Sequence, residues 1–191
     1  MKPALLVIDM QRRFLEQGHA EKLQRVPALI AGANELIDFF HEEGLPVVLV
    51  QVVHKADRST WNQWMIEHDT PALIEGTPEA EQHPDVHTCE TDIVVHKTRH
   101  SAFIRTDLDE ALRCRGVDTL VLAGFATDMC VGLTTIEAYE RDFRVMLADD
   151  AILGTNPESG HLMLDYLRSH FGIEPMPNAG IMAAISEHAG R

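Results

Sequence analysis

No stretch of the 191-residue sequence strings together the roughly 18 apolar residues that a membrane-spanning helix needs. The first apolar run, Ala4 to Ile8, stops at Asp9 and is too short for the core of a secretory signal. Basic residues are scarce: 16 Lys and Arg face 30 Asp and Glu, a net charge of -14. That excludes the basic stripe that nucleic acid requires, and it disfavours an anionic membrane surface. Cysteine is scarcer still. The three residues, Cys89, Cys114 and Cys130, are odd in number and too few for a disulfide framework. A reducing, cytoplasmic setting is expected. No G-x-G-x-x-G follows the first apolar run and no P-loop pattern occurs, so a dinucleotide, flavin or nucleotide domain is not expected. Repeats, low-complexity tracts and linkers are absent, and one domain over residues 1–191 is the expectation.

What is present alternates. "ALLVID" (4–9), "LPVVLVQVV" (45–53), "DIVVHK" (92–97), "DTLVLAG" (118–124) and "FRVMLAD" (143–149) read as strands. The most continuous of these runs are buried on both faces, as parallel strands are. A short sixth strand is expected near 173–176. Between the strands, apolar residues recur at helical spacing. Leu29, Ile30, Ala33, Leu36, Ile37 and Phe40 mark a helix from Pro27 to the stop at Gly44. Thr106 reads as the cap of a helix ending at Gly116, and Thr127 or Asp128 as the cap of one reaching about Arg141. Asn156 and Pro157 open another helix, and a last helix starts near 178. Residues 55–90 form a long polar excursion with a short helix around Trp61 to Ile66; an excursion of that length is often functional. The pattern predicts a doubly wound, three-layer α/β/α fold on a mostly parallel six-stranded sheet.

In such sheets the site lies beyond the carboxyl ends of the strands. Asp9 closes the first strand, Lys97 closes the third, and Cys130 follows the fourth at a helix start. Singly, each has an ordinary reading: a turn acid, a solvated lysine, an inert thiol. Together at one edge they make a nucleophile with its activators. An unperturbed thiol, with a pKa of about 8.5, is mostly protonated at neutral pH. An adjacent ammonium and a helix N-terminus favour the thiolate. A carboxylate can take the thiol proton and pass it to a leaving amine, while backbone N–H groups bind the oxyanion. The chemistry is hydrolysis of a C–N bond through a thioester.

"LLVIDMQRRF", "HKTRHSAFIRTDL" and "LVLAGFATDMCVGLTTIEA" together resemble the isochorismatase-like cysteine hydrolases, over roughly residues 4 to 177. That group includes nicotinamidases, carbamoylsarcosine and biuret amidohydrolases, and isochorismatases. The resemblance implies a catalytic triad of Asp9, Lys97 and Cys130. It implies a cis peptide between Phe125 and Ala126, and an oxyanion hole from the Ala126 and Cys130 N–H groups. It implies a small amide, carbamoyl or ureide substrate and a homodimer or homotetramer.

Nicotinamidases carry a metal site that begins Asp-x-His after strand two. Here Val52 stands at the Asp position and His54 survives, and scattered His83 and His87 do not complete a site. No metal and no cofactor are expected. Phe14, His54, Trp61, Phe125 and Thr127 are the expected pocket residues. Gln11 reads equally as an orienter of Asp9 or as solvated. Trp64 reads as a lid or an interface residue, and Arg99, His100 and Arg105 as a carboxylate binder or a solvated group. Cys89 and Cys114 read as structural. Two alternatives stand beside the amidohydrolase: a non-catalytic binding module with a blocked pocket, and an isochorismatase-type hydrolase. Cys130 weighs against the latter, since isochorismate-cleaving members do not use the cysteine.

Overall fold

The chain was analysed as a computed structural model, which describes residues 1–189. Six strands form one sheet in the order β3-β2-β1-β4-β5-β6, and every adjacent pair is parallel. They are β1 (Pro3–Ile8), β2 (Val47–Val52), β3 (Ile93–Lys97), β4 (Thr119–Phe125), β5 (Arg144–Leu153) and β6 (Pro175–Met176). The expectation of a mostly parallel sheet is exceeded: each connection crosses over, so no strand reverses.

Strand period 2 divides β1 between two cores. Leu5 and Val7 point to one layer, which α2 (Ala20–Glu42) and α7 (Asn178–Ala189) close with Leu29, Ala33, Leu36, Ile37, Phe40, Ile181 and Ile185. Ala4, Leu6 and Ile8 point to the other, closed by α4 (Leu108–Cys114), α5 (Gly132–Glu140) and α6 (Pro157–Phe171) through Leu108, Leu112, Ala138 and Leu167. Every residue of β1 and β4 is buried, as a strand covered on both faces demands.

Several element bounds differ from the expected ones. Helix α2 begins at Ala20, capped by His19, whose Nδ1 accepts from Lys22 N, and it runs through Pro27. Val26 carries the apolar stripe back beyond the proline, whose ring sits exposed on the outer face. Strand β5 continues past Asp149 to Leu153. A register shift between Leu122 and Gly124 lets the two acids turn outward while Ile152 and Leu153 rejoin β4. Helix α4 starts at Leu108 with Asp107 at the cap position, one residue later than expected; the Thr106 hydroxyl still accepts from Leu108 N at 3.4 Å and donates to the Ala102 carbonyl at 2.6 Å.

Gly124 is required where β4 leaves the sheet. Its φ is 118°, and a Cβ there would lie 2.1 Å from the Ile8 carbonyl oxygen. The close approach of β1 and β4 sets Asp9 beside the turn that carries Cys130.

Candidate active site

Parallel strands bring their carboxyl ends to one edge, and the three reactive residues meet there. Asp9 follows β1 in the left-handed region, φ 53°, which Asp tolerates better than most residues. Its N–H donates to the Val50 carbonyl at 2.8 Å. Lys97 ends β3, in register with Val52 of β2. Cys130 lies in a π turn, Thr127–Val131, between β4 and α5. The Val131 N–H closes this turn on the Ala126 carbonyl at 3.0 Å, and the peptide joining Phe125 to Ala126 is cis.

Lys97 Nζ stands 2.9 Å from Asp9 Oδ2 and 3.3 Å from Cys130 Sγ, and it donates to the Arg99 carbonyl at 3.1 Å. Asp9 and Lys97 are fully buried, and Cys130 is nearly so. Asp9 Oδ1 is buried without a hydrogen-bond partner among the described residues, so one carboxylate oxygen is free to take a proton.

Burial pushes the Asp9 carboxyl above the usual carboxylate range, and the Lys97 charge pulls it only part of the way back. Burial opposes the Lys97 ammonium, but Asp9 and Cys130 beside it more than offset this and raise it. Burial, then the Asp9 charge, push the Cys130 thiol far above its ordinary value against the pull of Lys97. Packing in this site thus opposes the thiolate that an ammonium and a helix N-terminus favour, with burial the largest cause and the Asp9 charge the next.

Above the sulfur lies a cavity of about 510 Å³, lined by Asp9, Phe14, His54, Phe125, Ala126 and Cys130 among others. The ring centroids of Phe14 and Phe125 are 5.7 Å apart. One continuous stretch, 62–73, supplies another wall with Trp64, Met65, Ala72 and Leu73, beginning at α3 (Gln63–His68). Arg99 holds this stretch through the Thr60 carbonyl at 3.1 Å and the Trp61 carbonyl at 3.5 Å, so its guanidinium serves the wall.

Two expected pocket residues lie elsewhere. Trp61 is buried behind the wall, its indole N–H on the Lys55 carbonyl at 2.9 Å and Arg58 stacked 4.6 Å from its ring. Its neighbour Trp64, turned outward on α3, lines the cavity in its place. Thr127 is buried in the π turn and faces a smaller cleft toward α6. Asp128 does not cap α5 but binds Thr155, through the backbone N–H at 2.7 Å and the hydroxyl at 2.5 Å.

Gln11 is neither solvated nor an orienter of Asp9. Its amide donates to the Val52 carbonyl at 2.9 Å and the Ala80 carbonyl at 2.7 Å, and its Oε1 accepts from Val52 N at 2.9 Å. It ties the excursion to β2. Arg105 lies outside the cavity, whereas His100 lines it with Nδ1 3.6 Å from Cys130 Sγ. Cys89 and Cys114 are exposed rather than packed into a core. Met129 and Thr155 also line the cavity. Their only signal in the sequence was proximity to the cysteine turn and to the end of β5.

The donor set does not fit the metal that nicotinamidases would imply. Val52 offers no ligand atom. His54 donates from Nδ1 to the Thr60 carbonyl at 3.0 Å, which leaves Nε2 as a single ligand atom with no second ligand beside it at Val52. His87 pairs with Asp38, and His83 lies beside Asp85. Among the described residues no group of three or more His, Cys, Asp or Glu side chains is placed to hold a metal ion.

Comparison with known proteins agrees with this architecture. The isochorismatase domain family matches residues 3–176. The chain is 29% identical to the nicotinamidase of Escherichia coli strain K12 over 191 aligned positions, covering 85% of this chain and 89% of that protein. It is 30% identical to the maleamate amidohydrolase of Pseudomonas putida over 156, covering 79% and 72%. Among solved structures, an isochorismatase family protein from Desulfovibrio vulgaris superposes with a TM-score of 0.85 at 28% identity, covering 100% of this chain and 99% of that one. With the sheet order, the carboxyl-edge cavity and a match over most of its length, the chain belongs to the isochorismatase family of hydrolases.

Proposed function

We propose that this hydrolase cleaves the C–N bond of a small amide, carbamoyl or ureide compound through a thioester on Cys130. The observation that carries the reading is one buried ammonium, Lys97, within hydrogen-bond reach of both Asp9 and Cys130, which line the cavity. The free oxygen of Asp9 takes the thiol proton as the sulfur attacks the carbonyl carbon. A carboxyl whose pKa burial has raised is a better base for this than an ordinary one. Lys97 holds the charge that moves between carboxylate and sulfur. The Ala126 and Cys130 N–H groups then receive the oxyanion, each such donor being worth about 3 kcal/mol of barrier. Asp9 returns its proton to the leaving nitrogen, the C–N bond breaks, and water later cleaves the thioester.

The walls favour a neutral substrate with an apolar body. Phe14, Phe125, Trp64 and Met65 line the cavity above the sulfur, and the guanidinium among its lining residues, Arg99, is engaged by backbone carbonyls. A cavity of about 510 Å³ lends no support to a scaffold with a blocked pocket. A homodimer or homotetramer in the cytoplasm belongs to the same reading. Exposed Leu162, Tyr166 and Tyr139 on α5 and α6 supply apolar surface for self-association.

Ammonia release from nicotinamide, maleamate, carbamoyl amino acids and biuret, with and without chelator, tests the reading. The expected result is turnover of at least one neutral amide, insensitive to chelator and abolished in a folded Cys130→Ala variant. Turnover that survives Cys130→Ala refutes the nucleophile.

A further inference from the structure

The triad leaves one neighbour of the sulfur without a task. His100 sits three residues past Lys97, lines the cavity, and is partly exposed, with Nδ1 3.6 Å from Cys130 Sγ. Among the described residues its ring makes no other hydrogen bond. Lys97 is buried behind the sulfur; Asp9 lines the cavity but is wholly buried and already engaged by the Lys97 ammonium, whereas His100 is exposed at the open side. Water that attacks a thioester on Cys130 arrives through the cavity, where His100 stands.

We propose that His100 is a second catalytic residue, the general base that activates the water hydrolysing the Cys130 thioester. The proposal rests on the cysteine-hydrolase reading above. Nδ1 takes a proton from water as the oxygen bonds to the thioester carbonyl carbon. The tetrahedral adduct collapses, the C–S bond breaks with its electron pair on sulfur, and the proton on Nδ1 passes across to Sγ. The net change is thioester plus water to acid plus thiol, with no other reactant. Asp9 then serves the first half of the cycle and His100 the second.

The charged surroundings suit a base. Burial and the Lys97 charge hold the imidazole below its usual range, against a smaller pull from Asp9, which favours the neutral form that a base needs. Cys130 faces it as well, and Arg99 and His54 line the same cavity.

The test uses p-nitrophenyl acetate with the full chain. Its phenolate leaves without an acid, so the burst of p-nitrophenolate reads acylation and the steady rate reads deacylation. Peptide mass mapping reports acetyl on Cys130 separately from the exposed Cys89 and Cys114. His100→Gln is expected to keep the wild-type burst and melting temperature. Its steady rate is expected to fall by about 100-fold, with acetyl accumulating on Cys130. Added imidazole is expected to restore the steady rate of His100→Ala, which a merely structural role for the ring would not allow. A steady rate within about threefold of wild type, with no acetyl accumulation, overturns the assignment. So does loss of the burst itself, which would place His100 in the first half-reaction. Absence of any Cys130-dependent burst in the wild type, matched by Cys130→Ala, overturns the nucleophile and its base together.

Discussion

Replacing Lys97 by methionine removes the ammonium and keeps most of the side-chain volume. The ammonium donates to Asp9 Oδ2, the Arg99 carbonyl and Cys130 Sγ, and both Lys97 and Asp9 are fully buried. Its loss leaves a fully buried carboxylate with neither oxygen partnered among the described residues, since Oδ1 has no hydrogen bond there already. Breaking a buried pair from one side costs about 3–5 kcal/mol. For a chain of this size that is a drop in melting temperature of about 6–20 °C. The carboxyl escapes part of the penalty by taking a proton. Burial already raises its folded-state pKa above the unfolded value of about 3.9, and removing Lys97 raises it further. The folded variant thus holds a proton that the unfolded chain has released. Stability falls as pH rises through that window, by up to about 1.4 kcal/mol per pH unit. Urea or thermal unfolding at pH 5, 6, 7 and 8 should show the deficit smallest at pH 5 and largest at pH 8. The double variant Asp9→Asn, Lys97→Met buries no charge and should recover most of the loss. A deficit independent of pH, or a double variant no more stable than Lys97→Met, refutes the reasoning.

Two further predictions concern the turn and the thiols. Gly124→Ala places a Cβ 2.1 Å from the Ile8 carbonyl at a φ of 118°, so β1 and β4 must separate. A loss above about 3 kcal/mol in urea unfolding is expected, and a variant as stable as the parent would contradict the close approach. In iodoacetamide labelling at pH 7 without substrate, Cys89 should react before Cys130. Cys89 is exposed with its thiol pKa lowered by the Thr91 hydroxyl, whereas burial and Asp9 hold Cys130 protonated. Faster labelling of Cys130 in peptide mass maps would mean that its thiolate exists at rest.

The layers and the reactive trio were legible because both follow from short-range rules. A strand buried on both faces needs an unbroken apolar run, and β1 and β4 have one. Parallel connections then force Asp9, Lys97 and Cys130 to the same edge. The walls were less legible. Trp61 and Trp64 look alike in sequence, and only the indole's bond to the Lys55 carbonyl decides which one is buried. Gln11 gave no sign of its three backbone partners, because two of them belong to β2 and one to residue 80. The start of α2 was hidden by Pro27, whose local meaning as a helix opener was overridden by the buried face of Val26. The thiol's protonation depends on how completely the site is dried, a property of the packed molecule.

The wall formed by residues 62–73 is built from a single run of chain, clamped at its base by Arg99, while the reacting atoms hang from the sheet. Such an arrangement works like a visor on a fixed helmet. Evolution or an engineer can recut that one segment to admit a different guest and leave the machinery beneath untouched.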